Sequence, residues 1–177
     1  MGLQGLGLGI YNKNVDMMMR KRVMVIVDES SVSKHAMIWA LTHVTDKGDL
    51  LTLLHIVPPP PHHHSSTSSC LANSLASLCK ACRPEVEIEV IVVEGPKFGT
   101  VMNQVKKLEV SVLVLGQKKQ SSSLMNCLVG QRSKSEEFVE KCINGMECLT
   151  IGVRKQSTSV GGYLISTRWH KNFWLLA

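Results

Sequence analysis

A basic, serine-rich stretch that follows an apolar run has the residue types best suited to bind an anion. The run "VSVLVLG" ends at Gly116, and "QKKQSSS" follows it, which places Lys118 and Lys119 side by side. Lysine ammonium groups are strong ligands for phosphate. Two adjacent lysines in a serine-rich loop are equally typical of solvated surface. The pattern therefore leaves two interpretations open, an anion-binding loop and a solvated one.

The helical pattern that begins near Ser133 offers a second feature for an anion. Ser133 and Glu136 in "SKSE" have the spacing of a capping box, which marks a helix start. The N-terminus of a helix presents unpaired N–H groups and a partial positive charge to any anion in front of it. Gln131, Arg132 and Ser133 would surround an anion at this position.

The motif "DESS" follows the first apolar run of the chain and supplies a carboxylate. Asp28, Glu29 and Ser30 stand where a strand ends and a helical pattern starts. A carboxylate here accepts hydrogen bonds either from a ligand or from the free N–H groups of the next helix. We include the three residues in the candidate site and leave both roles of Asp28 open.

Histidine and cysteine clusters are weaker candidates. His62–His64 follow four prolines, and adjacent histidines without a nearby cysteine or carboxylate do not complete a metal site. Cys79 and Cys82 have C-x-x-C spacing, but they end a helical pattern, where the helix dipole does not favour a thiolate. We therefore expect no metal, and we expect Cys82 to lie in the core.

No arrangement of nucleophile and base is recognisable from spacing, and no Walker A loop is present. We expect a non-catalytic protein. Slow, metal-dependent nucleotide hydrolysis through Asp28 is the alternative.

Strand-like and helix-like segments alternate along the chain. Four stripes with helical spacing separate five apolar runs rich in β-branched residues, and these runs are Val23–Val27, Leu50–Val57, Val86–Val93, Val110–Gly116 and Cys148–Val153. This alternation predicts an α/β fold, a five-stranded parallel sheet with helices on both faces. Ligands of such sheets bind at the carboxyl ends of the strands, so Asp28 and Gly116 should meet at one edge.

The order of motifs resembles the universal stress protein family, most closely its plant members. "VMVIVDESSVSKHAMIWAL", "VVEGP", "VSVLVLG" and "CLTIGVRK" carry the likeness, from about Arg20 to Lys155. The resemblance implies a flavodoxin-like, adenine nucleotide alpha hydrolase-like sandwich, a homodimer paired through the last strand, and a role in stress response or signalling. It also implies that ATP or another adenine nucleotide binds.

The resemblance assigns three groups of residues to the nucleotide. Asp28 would contact the adenosine part, and the backbone of Ile56 and Val57 would flank adenine. A loop of the form G-x2-G-x9-G-S/T would hold the phosphates, with Gly116 as its first glycine.

This chain departs from the loop pattern after Gly116. The second glycine position holds Lys119, Gly130 lies one place late for the third, and Gln131 stands where Ser or Thr is usual. Lysine does not readily adopt the backbone conformations that glycine allows. The loop is therefore degenerate, and the chain either binds a nucleotide or anion in an altered way or has lost ATP binding and acts as an interaction or dimerisation module.

The composition and the two ends complete the expectations. The 177 residues are 44% hydrophobic with a net charge of +6, which permits anionic partners, although we expect neither nucleic acid nor a membrane as the partner. Six cysteines without a secretory signal suggest a cytoplasmic protein, which would also be compatible with the nucleus. We divide the chain into a flexible segment, 1–20, a domain, 21–155, and a linker with an aromatic tail, 156–177.

The tail has apolar residues at helical spacing, Ile165, Trp169, Phe173 and Leu176. Such a stripe should not remain in water. Three interpretations stay open: the tail folds back on the domain or its dimer partner, docks on a protein partner, or anchors at a membrane surface.

Overall fold

The fold is seen in a computed structural model that describes residues 20–59, 65–118, 133–156 and 161–175. The strands are β1 (Arg22–Val27), β2 (Leu50–Val57), β3 (Glu87–Glu94), β4 (Val112–Gly116), β5 (Leu149–Lys155), β6 (Tyr163–Ser166) and β7 (Phe173–Leu175). The helices are α1 (Ser31–His43), α2 (Ser65–Cys82), α3 (Lys97–Lys107) and α4 (Lys134–Gly145). Most of the predicted flexible segment, residues 1–19, and most of the linker, residues 157–160, lie outside the described residues.

The strands form one sheet in the order β3-β2-β1-β4-β5-β6-β7. β1 to β5 pair in parallel, which confirms the predicted α/β class, while β6 and β7 extend the sheet with antiparallel pairs. The described residues thus contain seven strands rather than five. The strand order reverses between β1 and β4, which is where doubly wound sheets bind ligands.

Helices cover both faces of the sheet, and each face has its own core. Buried residues of α1 and α2 pack on one face with Val25 and Leu53, and those of α3 and α4 pack on the other with Met24 and Leu113. Successive residues of β1 point to opposite faces of the sheet and pack in different cores, so β1 is buried on both faces. β3 lies at an edge, as its alternating pattern predicted.

The second helix differs from the sequence prediction in its start and in its buried face. α2 begins at Ser65, several residues before the predicted stripe at Leu71. Cys79 is fully buried, while Cys82 is exposed, so the prediction of a core Cys82 was wrong. The true buried face is formed by Ala72, Leu75, Ala76 and Cys79, whose spacing of three and four residues matches the helical repeat.

The aromatic tail forms two strands instead of the predicted helical stripe. We call Tyr163–Leu175 the C-terminal hairpin: β6 pairs with the outer edge of β5, from Lys155↔Tyr163 to Gly152↔Ser166, and β7 pairs with β6. Without β6, the backbone N–H and C=O groups at that edge of β5 would face water. Satisfying them within the chain is the physical reason for strands here.

The hairpin is attached to helices on both faces of the sheet. The Tyr163 ring lies edge-on to His43, 6.1 Å between centroids, and His43 stacks on Trp39 in α1 at 5.4 Å. On the other face, the Arg168 guanidinium donates hydrogen bonds to the carbonyls of Asn144, 3.0 Å, and Met146, 2.9 Å, at the end of α4. The tail therefore folds back on its own domain.

Candidate functional site

Asp28 and Gly116 line the same small cavity at the carboxyl edge of the sheet, as the strand order requires. We call it the rim cavity. It has a volume of about 40 Å³, and its polar lining includes Ser30, Ser33, Lys97, Lys118 and Ser135. The volume accommodates a single small group, well below the 300–1,000 Å³ of typical ligand pockets.

Local hydrogen bonds fix Asp28 at the start of α1. Its Oδ1 accepts from the backbone N–H of Ser30 at 2.9 Å and from the Ser30 hydroxyl. Ser30 is the N-cap of α1, and its Oγ accepts from Ser33 N at 3.2 Å. Asp28 therefore supports the helix cap through one oxygen. Both hydrogen bonds from Ser30 end on Oδ1, so Oδ2 is the oxygen better able to accept a hydrogen bond from a ligand.

Close packing against α1 explains why residue 116 is a glycine. A Cβ atom there would lie 2.8 Å from the carbonyl oxygen of Val32 and 2.9 Å from its Cγ1. Real side chains do not tolerate such contacts. Glycine lets the end of β4 approach the first turn of α1, and this approach brings Lys118 and Asp28 to the same cavity.

Asp28 is half-buried and nevertheless remains ionised. Burial alone would raise the pKa of Asp28, but the hydrogen bonds from Ser30 and Ser33 and the charge of Lys97 outweigh it, so the pKa is lowered from its ordinary value. Lys97 lies at the start of α3, with its Nζ 4.7 Å from the centroid of the Phe138 ring in α4. The cavity thus combines a carboxylate with two lysines, Lys97 and Lys118.

The other predicted site residues lie farther from this cavity or outside the described part. Glu29 is exposed and does not line it, and neither do Ile56 and Val57, which are half-buried at the end of β2. Ser133 is the N-cap of α4, and its Oγ accepts from Glu136 N at 3.3 Å, which confirms half of the predicted capping box. Four predicted site residues lie outside the described residues: Lys119, Gly130, Gln131 and Arg132.

Lys97, Ser135 and Phe138 are cavity residues that the sequence analysis missed. Lys97 could have been predicted, because it follows "EGP" and a proline marks the start of a helix. The N-terminus of that helix lies at the carboxyl edge of the sheet, where the site was expected. Ser135 and Phe138 belong to the first turns of α4, and their direction depends on how that helix packs. The spacing of residues in the sequence does not predict the direction of these two side chains.

The thiol and imidazole candidates have structural environments. Burial, together with the neighbouring Cys82, raises the pKa of the Cys79 thiol to about 12, so Cys79 is not a thiolate at neutral pH. His55 is buried in β2 with Nδ1 2.9 Å from the carbonyl oxygen of Val27, the satisfied core histidine that a strand position predicts. His62–His64 lie outside the described residues, and the described part of the chain has no cluster of three metal-ligating side chains.

None of the described helices combines the length and the apolar character needed to cross a membrane.

The family model of the universal stress protein family matches residues 19–135 of the 177. The chain belongs to the universal stress protein family. The match includes β1 to β4 and all residues described around the rim cavity except Phe138 and Val139 of α4. No curated protein sequence matches the chain.

Solved universal stress proteins share the fold at low sequence identity. A family member from Arabidopsis thaliana with AMP bound has a TM-score of 0.53 at 17% identity, covering 78% of this chain and 94% of that one. A universal stress protein in complex with cAMP has a TM-score of 0.57 at 14% identity, covering 75% and 96%. The Archaeoglobus fulgidus protein has a TM-score of 0.59 at 12% identity, covering 76% and 98%.

Proposed function

We propose that this universal stress protein is a non-catalytic, cytoplasmic adenine nucleotide-binding protein that acts in stress response or signalling. The observation that carries the proposal is the rim cavity, where an ionised carboxylate lies at the reversal of strand order, beside Gly116 and Lys118. The AMP and cAMP complexes of two family members with the same fold support it.

The charges of the rim cavity suggest how a nucleotide would divide between its residues. A carboxylate accepts hydrogen bonds from sugar hydroxyls, so Oδ2 of Asp28 suits the ribose. The ammonium group of Lys118 suits a phosphate. A volume of about 40 Å³ holds only one small group of the nucleotide. The adenine base and the other parts of the nucleotide would therefore lie on the open rim above the cavity. Ile56 and Val57, at the end of the neighbouring strand β2, are the residues we propose beside the base.

Calorimetric titration of AMP, adenosine and inorganic phosphate tests this division. Asp28→Asn should weaken AMP and adenosine by roughly 10- to 150-fold without weakening phosphate, as expected for one hydrogen bond to a charged group, about 1.5–3 kcal/mol. Lys118→Met should weaken AMP and phosphate and spare adenosine. Asp46→Asn is the matched control, because Asp46 is an exposed carboxylate that pairs with Lys21.

The pattern of losses decides between the alternatives. Absence of saturable AMP binding to the unmodified protein would contradict the proposal and favour a rim cavity that no longer binds nucleotide. Metal-dependent nucleotide turnover that disappears in Asp28→Asn would instead indicate the hydrolase alternative.

A second candidate function is self-association through β7, and the exposed aromatic residues of the hairpin favour it. The dimer was predicted through the fifth strand of the sequence analysis, β5, but β6 pairs with the outer edge of that strand. The exposed fractions are 73% for Trp169, 56% for Phe173 and 47% for Trp174. β6 already occupies the edge of β5, so β7 is the edge strand on this side of the sheet. An edge strand with exposed aromatic residues is a pairing surface, and we propose that a second copy, or another protein, pairs with it.

Molar mass measured by light scattering over a range of concentrations tests the dimer. The unmodified protein should be a dimer, and Phe173→Ser with Trp174→Ser should be monomeric. Val92→Ser is the control, because Val92 is 42% exposed on β3 at the opposite edge. A monomer at every concentration would reject the homodimer and leave the aromatic surface for a different protein.

A further inference from the structure

A second cavity lies between α4, β5 and the turn of the C-terminal hairpin, on the other side of Val139 from the rim cavity. We call it the hairpin cavity. It has a volume of about 150 Å³, and Val139 lines both cavities. The chain after β4 separates them: Gly116 and Lys118 face the rim cavity, while Gln117 faces the hairpin cavity. A backbone hydrogen bond from Gln117 N to Val153 O, 2.8 Å, holds Gln117 on that side.

The size of the hairpin cavity indicates a ligand of roughly six heavy atoms, since a cavity of about 150 Å³ in another protein holds benzene. Val139 and Ile143 supply apolar surface. Gly152 on β5 makes their close approach possible, because a Cβ atom there would lie 3.1 Å from Val139 Cγ1 and 3.5 Å from Ile143 Cδ1.

The charged groups around the hairpin cavity are balanced in sign and only partly paired. Glu140 pairs with Lys171 at 3.0 Å. Arg154 donates a hydrogen bond to the neutral side chain of Asn172, 3.3 Å, and forms no ion pair among the described residues. Glu136 likewise has no cationic partner in the described part of the chain. One guanidinium and one carboxylate therefore remain available to a ligand.

Two uncharged groups add to this set. The side-chain Oε1 of Gln117 is buried and accepts no hydrogen bond from any described residue. A buried acceptor without a donor is unfavourable, so a ligand that donates an N–H to it would be stabilised. Ser166 is buried beside the cavity, and its Oγ accepts from Asn172 N at 3.1 Å. No described residue accepts a hydrogen bond from its hydroxyl, which can therefore donate to a ligand.

We propose that the hairpin cavity binds a small zwitterion of the amino-acid class. Its carboxylate pairs with Arg154, which offers planar, two-pronged hydrogen bonds. Its ammonium group donates to Glu136 and to Oε1 of Gln117. A zwitterion suits this lining better than a ligand with a net charge, because Glu136 and Glu140 are balanced by Arg154 and Lys171. The site is separate from the rim cavity, and its test does not depend on nucleotide binding.

Three related probes separate the charges of the ligand. L-serine carries both groups, 3-hydroxypropanoate lacks the ammonium group, and ethanolamine lacks the carboxylate. In titrations followed by the backbone amide resonances of Gly152, Ser166 and Asn172, L-serine should give saturable shifts at concentrations at least tenfold lower than either single-charge probe.

Variants then assign the contacts. Arg154→Met should weaken L-serine binding by tenfold or more, whereas Lys107→Met, which removes an exposed cation on α3, should leave it unchanged. Glu136→Gln keeps the shape of a partly exposed side chain and should weaken L-serine binding without weakening 3-hydroxypropanoate binding, which provides a test if Arg154→Met does not fold. The proposal is wrong if L-serine produces no saturable shift, if 3-hydroxypropanoate binds equally well, or if Arg154→Met binds L-serine normally.

Discussion

Single residues in this chain have roles that their type alone does not reveal. Gly116 was predicted as the first glycine of a phosphate loop, and the structure gives it a packing role against Val32 as well. Asp28 was open between helix cap and ligand, and it caps through Oδ1, which makes Oδ2 the oxygen better able to bind a ligand. Both residues could be selected from the sequence because they follow buried strands. Their contacts could not, because Val32 and Lys97 come from other elements.

Replacing Gly116 by alanine should destabilise the fold by about 1–3 kcal/mol, the usual result of forcing a methyl group into a packed position. The cause is the 2.8 Å approach of the new Cβ to the Val32 carbonyl oxygen. Gly99→Ala is the matched control. Its Cβ would have no neighbour nearer than 3.8 Å, and alanine favours a helix over glycine by about 0.5–1 kcal/mol.

Urea denaturation of the two glycine variants provides the measurement. Opposite signs for Gly116→Ala and Gly99→Ala would support the packing role. Equal stability of Gly116→Ala and the unmodified protein would contradict it.

Most elements could be predicted from periodicity, and the failure at the tail has a physical explanation. The central strands are long, apolar runs, and the helices have regular stripes, so local pattern and tertiary packing agree. In the tail, Ile165, Trp169 and Phe173 fit a helical repeat, but the same residues also fit two short strands joined by a turn. The open edge of β5 decides between them, and that edge is not visible in the tail's own sequence.

Truncation within the tail should separate the roles of its two strands. A chain ending at His170 loses β7 but keeps β6 on β5, so its stability should change little. A chain ending at Gln156 also loses β6 and the buried Ile165, and it should lose about 2–5 kcal/mol, the usual effect of removing a large buried aliphatic side chain.

The chain ending at Gln156 should also self-associate, because the edge of β5 is then unpaired and can pair with another chain. Denaturation and analytical ultracentrifugation of both truncations measure these effects. Equal stability and equal molar mass for the two truncated chains would show that β6 does not protect β5.

At the scale of the whole molecule, the order of elements positions the candidate site. Parallel pairing of β1 with β4 and the short connection to α1 bring residues 28 and 116 together, and this was predictable from the alternation of strands and helices. The hairpin cavity was not predictable, because it requires β5, α4 and the hairpin turn at once. The two cavities therefore differ in charge. The rim cavity has two lysines around a carboxylate, and the hairpin cavity has balanced charges.

The central claim is that an adenine nucleotide binds at the carboxyl ends of β1 and β4. A crystal structure of the protein grown with AMP measures this directly. We expect the ribose hydroxyls within hydrogen-bonding distance of Asp28 and the phosphate near Lys118. AMP bound elsewhere on the molecule, or an empty rim cavity at saturating AMP, would contradict the claim.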